Sequence, residues 1–379
     1  MSMTLPTFTV SGTPDSMGRA YGTFCGEMIH AFVGERVAAV ELYLSEAGHA
    51  GTAKLFDAGA ACLEQVRRFD PSGHAEHLAI AAGAEIDPVQ LFTTANMTDV
   101  RDIIVLPGDP IVLEDEGCTA ALLPPSATAK DESLQGQTWD LNEPDVKYVI
   151  ALHQIPDEGP ETWTVTCAGC QTLMGMNEHG VTVGTTNLKT KGAEVGIPYL
   201  SVLHLALKQT TRAAASAVIE KAPVAGSHSY WVGDRTGAIE WERSPGAAFA
   251  RTTQDGPLAR TNHCLFENHI ALETDLSEST HARFDRMGTL LRSSRTHTIE
   301  TLKNAFSNRS DGRLSINRFS EDQTGATTNA VVAMDPAKLD FQACRGPADQ
   351  GVWTTLTFER GQAGAASAHS KADTLRQDA

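Results

Sequence analysis

The pair Gly117-Cys118 offers the most specific chemistry in this sequence. A cysteine thiol can attack the carbonyl carbon of the residue before it, and hydrolysis of the resulting thioester would cut the chain. Glycine tolerates the strained geometry of that attack because it has no Cβ. The new N-terminal Cys118 would hold its own base, since a free α-amino group has a pKa of about 7.7–8.0. The plainer interpretation of the pair is a small buried apolar cysteine.

The predicted secondary structure differs between the two sides of this pair. Apolar residues at three- and four-residue steps predict helices over Ile29–Leu44, Leu55–Phe69 and Asp87–Val100. Short runs rich in β-branched residues predict strands after the pair, interrupted by four helices. The strands are expected at Cys118–Leu123, Val146–Leu152, Trp163–Cys167, Val181–Thr186, Tyr230–Val232, Ala238–Trp241, Ala330–Met334 and Val352–Phe358. The helices are expected at Pro198–Gln209, Arg212–Lys221, Thr280–Ser293 and Thr298–Phe306. We therefore expect a helical segment 1–117, a strand-rich segment 118–360 and a disordered polar tail 361–379.

The bulk composition excludes several classes of partner. The chain of 379 residues has a formal net charge of -17 and a pI near 5.2, which disfavours nucleic acid. No apolar run of membrane-spanning length is present, and the N-terminus lacks the basic flank and apolar core of a signal peptide. The seven cysteines are odd in number and spread along the chain, which favours free thiols. We expect a cytoplasmic protein that binds neither nucleic acid nor membrane.

The surroundings of Cys118 match the motifs of a known family in order and spacing. The matching segments are Glu116-Gly117-Cys118-Thr119, Gly136-Gln137-Thr138-Trp139-Asp140, Gly175-Met176-Asn177-Glu178-His179-Gly180 with Thr186-Asn187-Leu188, Thr261-Asn262-His263, and Ser315-Ile316-Asn317-Arg318. Through them the chain resembles the acyl-coenzyme A:6-aminopenicillanate acyltransferases. This group is part of the cysteine N-terminal nucleophile (Ntn) hydrolases, together with penicillin V acylases and bile salt hydrolases.

The resemblance implies an α+β fold, a four-layer αββα sandwich with two antiparallel sheets between helical layers. It also implies an inactive precursor whose segment 1–117 becomes an α-subunit and stays with the remainder as an αβ heterodimer. The implied activity is hydrolysis of a small N-acyl compound through an acyl-thioester on Cys118, with no metal and no cofactor. Acyl transfer to an amine, a non-catalytic binding protein on this scaffold and a metal-dependent hydrolase stay open as alternatives, as does homo-oligomer formation.

The same resemblance assigns roles to three polar residues. Asp140 would hold the new α-ammonium group of Cys118, and its plainer interpretation is a turn residue. Asn262 would donate its amide N–H to the developing oxyanion, and it could otherwise cap a turn. Asn187 would line the oxyanion site, with an equally good interpretation as a residue at a strand end.

The fixed positive charge of the site is assigned to Arg318, with Arg283 and Arg286 on the predicted helix Thr280–Ser293 as rivals. Thr138, a candidate for substrate binding, stands where the family usually has asparagine, so any contact made there to the substrate or to residues supporting the site would differ. His228 is a candidate for the substrate pocket, and a structural histidine is its plainer interpretation.

The segment Cys167-Ala-Gly-Cys170 has the spacing of a metal or redox motif. A zinc site would need a second ligand pair, and the nearest clustered candidates, His263, Cys264 and His269, are distant in sequence. Packing is therefore the interpretation favoured for this pair.

Overall fold

The computed structural model describes residues 3–46, 52–105, 117–274, 277–322 and 325–359. The predicted polar tail 361–379 and the acidic residue Glu116 lie outside these ranges. Within them the strands are β1 Thr7–Gly12, β2 Gly117–Leu123, β3 Leu134–Asn142, β4 Val149–Pro156, β5 Thr162–Cys167, β6 Met174–Asn177, β7 Thr182–Asn187, β8 His228–Asp234, β9 Gly237–Ser244, β10 Ala247–Thr252, β11 Leu258–Arg260, β12 Ala326–Asp335, β13 Asp340–Arg345 and β14 Thr354–Leu356. The helices are α1 Pro14–Glu46, α2 Ala53–Phe69, α3 Pro71–Gly83, α4 Pro88–Ala95, α5 Met97–Val105, α6 Tyr199–Leu207, α7 Arg212–Lys221, α8 Glu267–Ile270, α9 Glu278–Arg292 and α10 Ile299–Phe306.

The strands form two stacked sheets. One has the order β1-β4-β5-β6-β7-β8-β9-β10 and the other β11-β2-β3-β12-β13-β14. Strand β2 contacts β7 and β9 across the gap, while α6 and α7 pack on the first sheet and α9 and α10 on the second. This arrangement is the expected α+β, four-layer αββα sandwich.

The first sheet is not wholly antiparallel, and the front segment is not wholly helical. Strand β1 pairs in parallel with β4 at the edge of that sheet, from Thr7 opposite Ala151 to Gly12 opposite Pro156. The main apolar core runs from Leu5 to Phe358 and includes Ile29 and Phe32 of α1. The segments before and after Gly117 therefore share one core, although the sequence predicts mainly helices in the first and mainly strands in the second.

Two features of the helical front segment differ from expectation. The helix expected over Leu55–Phe69 does end at Phe69 as α2, but Pro71 then begins a further helix, α3, because Asp70 caps it by accepting a hydrogen bond from the Gly73 backbone N–H at 2.9 Å. The single helix expected over Asp87–Val100 is two helices, since Asn96 ends α4 and turns its side-chain amide back onto the Phe92 carbonyl at 3.0 Å.

Candidate active site

The strand that carries Cys118 has both faces buried. Alternate side chains of a strand point to opposite sides, so Cys118 and Ala120 face the core between the sheets, while Ala121 belongs to the core under α9 and α10. Cys118 is 7% exposed and lines a cavity in the first of these cores. The strand therefore directs the thiol toward the cavity and Thr119 toward α9.

The side chain of Asn262 is tied to the backbone at Cys118. Its Oδ1 accepts hydrogen bonds from the Cys118 backbone N–H at 2.8 Å and from Arg283 Nη2 at 2.9 Å, which identifies that atom as the oxygen. Its Nδ2 donates to the Asn187 carbonyl at 3.0 Å, and its backbone N–H donates to Thr280 Oγ1 at 2.8 Å. Because an amide nitrogen carries two hydrogens, Asn262 keeps a second N–H beside Cys118.

Arg283 contacts the backbone of Cys118 directly. It is fully buried on α9, where Nη1 donates to the Cys118 carbonyl and, at 3.0 Å, to Thr119 Oγ1. Arg286, one turn further along the helix, pairs instead with Asp311 at 2.7 Å, and its side chain is 34% exposed. The structure brings Arg283 into the site and leaves Arg286 on the surface.

Gly117 is enclosed by charged groups. A Cβ at this position would lie 2.8 Å from Arg318 Nη1, 3.1 Å from Asp140 Oδ2 and 3.2 Å from Arg283 Nη2. Because these distances are shorter than ordinary van der Waals contacts, a side chain at this position would force the charged groups to shift. Arg318 is fully buried, so the structure gathers both arginines around the Gly117–Cys118 peptide bond.

Asp140 lies opposite Gly117 in the β2–β3 register and is 1% exposed. Its Oδ1 accepts a hydrogen bond from Thr328 Oγ1 at 2.7 Å. Burial raises the pKa of the Asp140 carboxyl above its usual value, although Arg283 and Arg318 oppose that shift. The carboxyl therefore holds a proton more readily than an exposed aspartate does.

Thr138 is not placed where a substrate contact was expected. It is fully buried, and its hydroxyl accepts a hydrogen bond from the Thr119 backbone N–H at 3.1 Å and donates to Asp140 Oδ2 at 3.5 Å. It is also not among the cavity-lining residues. The substrate-binding assignment of Thr138 is therefore corrected: its side chain supports strand β2 from the side away from the cavity.

The cavity in front of Cys118 has about 620 Å³ of empty space, a figure that includes its opening to solvent. Its walls are mainly apolar, with Trp139 and Leu173 from the strand-rich segment and Phe32 from α1. Arg36 and Thr98 bring α1 and α5 to the same wall. Residues from both sides of Gly117 thus form one pocket, which suits a small ligand with an apolar portion.

The predicted site residues Asn187 and His228 both line this cavity. They face each other on neighbouring strands, since β7 and β8 pair Asn187 with His228. His228 is 2% exposed, and its Nε2 lies 2.6 Å from Asp99 Oδ1. Asp99 is on α5, and nothing in the sequence pattern had marked it, because its partner lies 129 positions away.

Cys167 and Cys170 also line the cavity and are free thiols. A tight turn joins them, with a hydrogen bond from the Cys170 backbone N–H to the Cys167 carbonyl at 3.0 Å. Burial raises the pKa of Cys170 to about 12 and also raises that of Cys167 well above its usual value. Across the ranges the structure describes, no three His, Cys, Asp or Glu side chains come together as metal ligands.

An αββα sandwich with a buried cysteine at the start of an interior strand is typical of Ntn-type amide hydrolases and acyltransferases, the class that the family match supports. The chain belongs to the acyl-coenzyme A:6-aminopenicillanic acid acyl-transferase family, whose model matches residues 127–349, more than half of the chain. The match begins after Cys118 and includes Asp140, Asn187, Asn262 and Arg318. No curated protein sequence matches significantly.

Solved structures with a similar fold come from several organisms. An N-acylethanolamine-hydrolyzing acid amidase ortholog of Caenorhabditis elegans is 13% identical, with 58% of this chain and 93% of that chain covered and a TM-score of 0.44. A variant of the conjugated bile acid hydrolase of Clostridium perfringens is 13% identical, with 64% and 97% covered and a TM-score of 0.42. The penicillin V acylase of Agrobacterium tumefaciens is 13% identical, with 60% and 83% covered and a TM-score of 0.41. Likeness at this level carries no argument about individual residues.

The helices also bear on the membrane question. None of those in the described ranges combines the length and the apolar character that a bilayer crossing requires.

Proposed function

We propose that the chain cuts itself between Gly117 and Cys118 and then hydrolyses small N-acyl compounds with Cys118 as its N-terminal nucleophile. The observation that carries this proposal is the enclosure of Gly117 by Arg318, Asp140 and Arg283. Two buried arginines and one buried carboxyl around a single peptide bond form the kind of charged cluster that is common at functional sites.

Self-cleavage would begin with attack of the Cys118 sulfur on the Gly117 carbonyl carbon. The thiol proton passes to the nitrogen of Cys118, the C–N bond breaks, and a thioester joins Gly117 to the sulfur. Water then hydrolyses the thioester, which leaves a carboxylate on Gly117 and a free thiol and amine on Cys118. Asp140, the buried carboxyl beside Gly117, is our candidate to relay that proton from the sulfur to the nitrogen.

Substrate turnover would reuse the same atoms. The α-amino group of Cys118 takes the thiol proton, and the thiolate attacks the carbonyl carbon of the substrate amide. The second N–H of Asn262, together with Asn187 at the cavity wall, stabilises the oxyanion. The amine leaves with the proton, water attacks the acyl-thioester, and the acid is released with the nucleophile restored.

Arg283 and Arg318 would act as fixed charges in both reactions. Arg283 holds the Cys118 carbonyl and the Asn262 oxygen at once, so it fixes the nucleophile relative to the oxyanion donor. Arg318 lies beside the Gly117 position, where the new carboxylate forms during self-cleavage. Positive charge there favours both the tetrahedral anion and the thiolate.

The segment 1–117 is proposed to remain as an α-subunit after cleavage. Its residues share the main core with the rest of the chain, and Phe32, Arg36 and Thr98 complete the cavity wall. We propose no metal and no organic cofactor, and the cytoplasmic location stays a prediction. Acyl transfer is the second candidate, because the family is named for that reaction and an amine can replace water at the same thioester.

The test is to trap the acyl-thioester. N-acyl-7-amino-4-methylcoumarins with short, long and aromatic acyl groups are mixed with the processed enzyme. The reaction is quenched in acid, and the masses of the protein fragments are measured by intact-protein mass spectrometry. We expect a burst of coumarin and a fragment beginning at Cys118 that is heavier by one acyl group. Added amines that speed turnover would indicate acyl transfer rather than hydrolysis.

The control separates processing from turnover. Segments 1–117 and 118–379 are co-expressed, with either Cys118 or alanine starting the second piece. Coumarin release by the alanine version at the rate of the cysteine version would contradict the proposal.

A further inference from the structure

We infer that His228 accepts a hydrogen bond from a donor group on the substrate. Asp99, from the segment before Gly117, determines which ring nitrogen is the acceptor. The inference rests on the proposed function, because it places the substrate in the cavity of Cys118. It names the substrate class more closely, as N-acyl compounds with a hydroxyl or N–H group near the scissile amide.

The position of His228 links it to the reacting centre. Asn262 donates to the Asn187 carbonyl, and Asn187 lies directly opposite His228 in the β7–β8 register. Directly opposed residues in an antiparallel pair present their side chains on the same face, with Cβ atoms about 4.5–5.5 Å apart. A substrate whose carbonyl reaches Asn262 therefore passes His228 within a few atoms of the scissile bond.

The His228 ring is held from two sides. Asp99 Oδ1 lies 2.6 Å from its Nε2, while Asp99 Oδ2 accepts the Tyr199 backbone N–H at 2.8 Å. The Tyr199 ring stacks on the imidazole with centroids 4.7 Å apart. Any side chain at Gly226 would collide with the Asp99 carboxylate, so glycine is needed for the approach. Asp99 and His228 are 1% and 2% exposed.

The other ring nitrogen, His228 Nδ1, is buried and has no hydrogen-bond partner among the described residues. A carboxylate only accepts hydrogen bonds, so in the neutral form of the ring Nε2–H donates to Asp99 and Nδ1 keeps its lone pair. Buried acceptors are normally satisfied. Since His228 lines the cavity, a donor on the bound substrate is the group that would satisfy it.

The test compares matched substrates. Two series of N-acyl compounds carry a hydroxyl, methyl, methoxy or ethyl group near the scissile amide, on the acyl side in one series and on the amine side in the other. In one series we expect kcat/KM for the hydroxyl compound to exceed that of its methyl match by about tenfold, the worth of one neutral hydrogen bond. The methoxy compound should gain nothing over its ethyl match.

Two variants then separate the ring from its tautomer. His228→Phe should remove the discrimination between hydroxyl and methyl. In Asp99→Asn the amide oxygen must face the Tyr199 N–H, so the amide NH2 faces Nε2 of His228. The ring proton then moves to Nδ1, which becomes a donor. This variant should therefore prefer methoxy over ethyl, a preference the wild type lacks.

The matched control is Glu76→Gln. Glu76 Oε2 lies 3.1 Å from His204 Nε2, a second buried acid–histidine pair that ties the front segment to α6 outside the cavity. Glu76→Gln should keep the wild-type substrate ratios. If Asp99 had only a structural role, Asp99→Asn would keep those ratios as well. Unchanged ratios in His228→Phe and Asp99→Asn, or a wild-type preference for methoxy over ethyl in both series, would overturn the inference. Failure to hydrolyse any compound would count against the proposed function instead.

Discussion

Replacing Gly117 with alanine would place a methyl group among the charged side chains that enclose the scissile bond. The added Cβ would lie 2.8 Å from Arg318 Nη1, whereas ordinary contacts of this kind begin near ~3.5 Å, so the guanidinium must retreat by about 0.7 Å. Arg318 is fully buried and Asp140 is 1% exposed, so neither has solvent to move into.

The size of the effect follows from that displacement. Overpacking of this kind costs about 1–3 kcal/mol, and a misplacement near ~1 Å can cost ~10²-fold in rate. We therefore expect Gly117→Ala to slow self-cleavage by about 10- to 100-fold while Cys118 stays in place. Precursor unfolded in urea is diluted into neutral buffer and samples are quenched in acid at intervals. Intact-protein mass spectrometry then gives the fraction of the precursor that has been cleaved.

The matched control is Gly34→Ala on α1. Its added Cβ would meet no heavy atom within 4 Å, and alanine is favourable in a helix. It should cleave at the wild-type rate. If Gly117→Ala cleaved as fast as Gly34→Ala, the enclosure of Gly117 would have no part in processing.

Three further predictions follow from the same contacts. Arg283→Met should slow both self-cleavage and turnover at least ~10²-fold, because it removes donors from the Cys118 carbonyl and from Asn262, whereas surface-paired Arg286→Met should stay within about threefold in both assays. Asn262→Ala should lower kcat by ~10²–10³ in steady-state kinetics, and the unfolding midpoint in urea should fall as well, because the Cys118 N–H and Arg283 lose an acceptor. Burial lowers the pKa of His77 to about 4, so the folded protein binds fewer protons than the unfolded chain between pH 6.5 and about 4. The free energy of unfolding should therefore fall as the pH is lowered through that window, by up to about 1.4 kcal/mol per pH unit from this group. In urea titrations at pH 7 and pH 5, His77→Gln should show a smaller loss of stability than wild type.

The strands and helices with strong periodicity were predictable, but polar strands were not. Strand β3 carries Asp140, and its sequence is too polar to indicate a buried strand. It is buried because its amides are satisfied across the sheets, as when Gln137 donates to the Thr185 carbonyl at 2.6 Å and accepts from Trp231 Nε1 at 2.6 Å. Such pairing depends on tertiary contacts that no local pattern reports.

The candidate site was predictable where motifs carried it. Cys118, Asp140 and Asn262 were identified through the resemblance, and the structure gathers them around one peptide bond. For the arginine, sequence favoured Arg318 and left Arg283 as a rival. The four-residue spacing of Arg283, Met287 and Leu291 was a usable signal, because all three lie on the buried face of α9.

Asp99 shows the limit of that approach. It was expected to lie within an ordinary helix, and only the packing of α5 against β8 brings it to His228. Charged side chains on a helix are mostly solvated, so a buried aspartate has no local signature. Long-range pairs of this kind become visible only when both elements have been placed.

The central claim is that Cys118 becomes an N-terminal nucleophile, and intact-protein mass spectrometry of freshly purified protein tests it most directly. Wild type should give two fragments, 1–117 and 118–379, with the second beginning at Cys118, while Cys118→Ala should remain one uncut chain. A wild-type chain that stays intact for days from mildly acidic to mildly basic pH would contradict the account, because the α-amino base would never be formed.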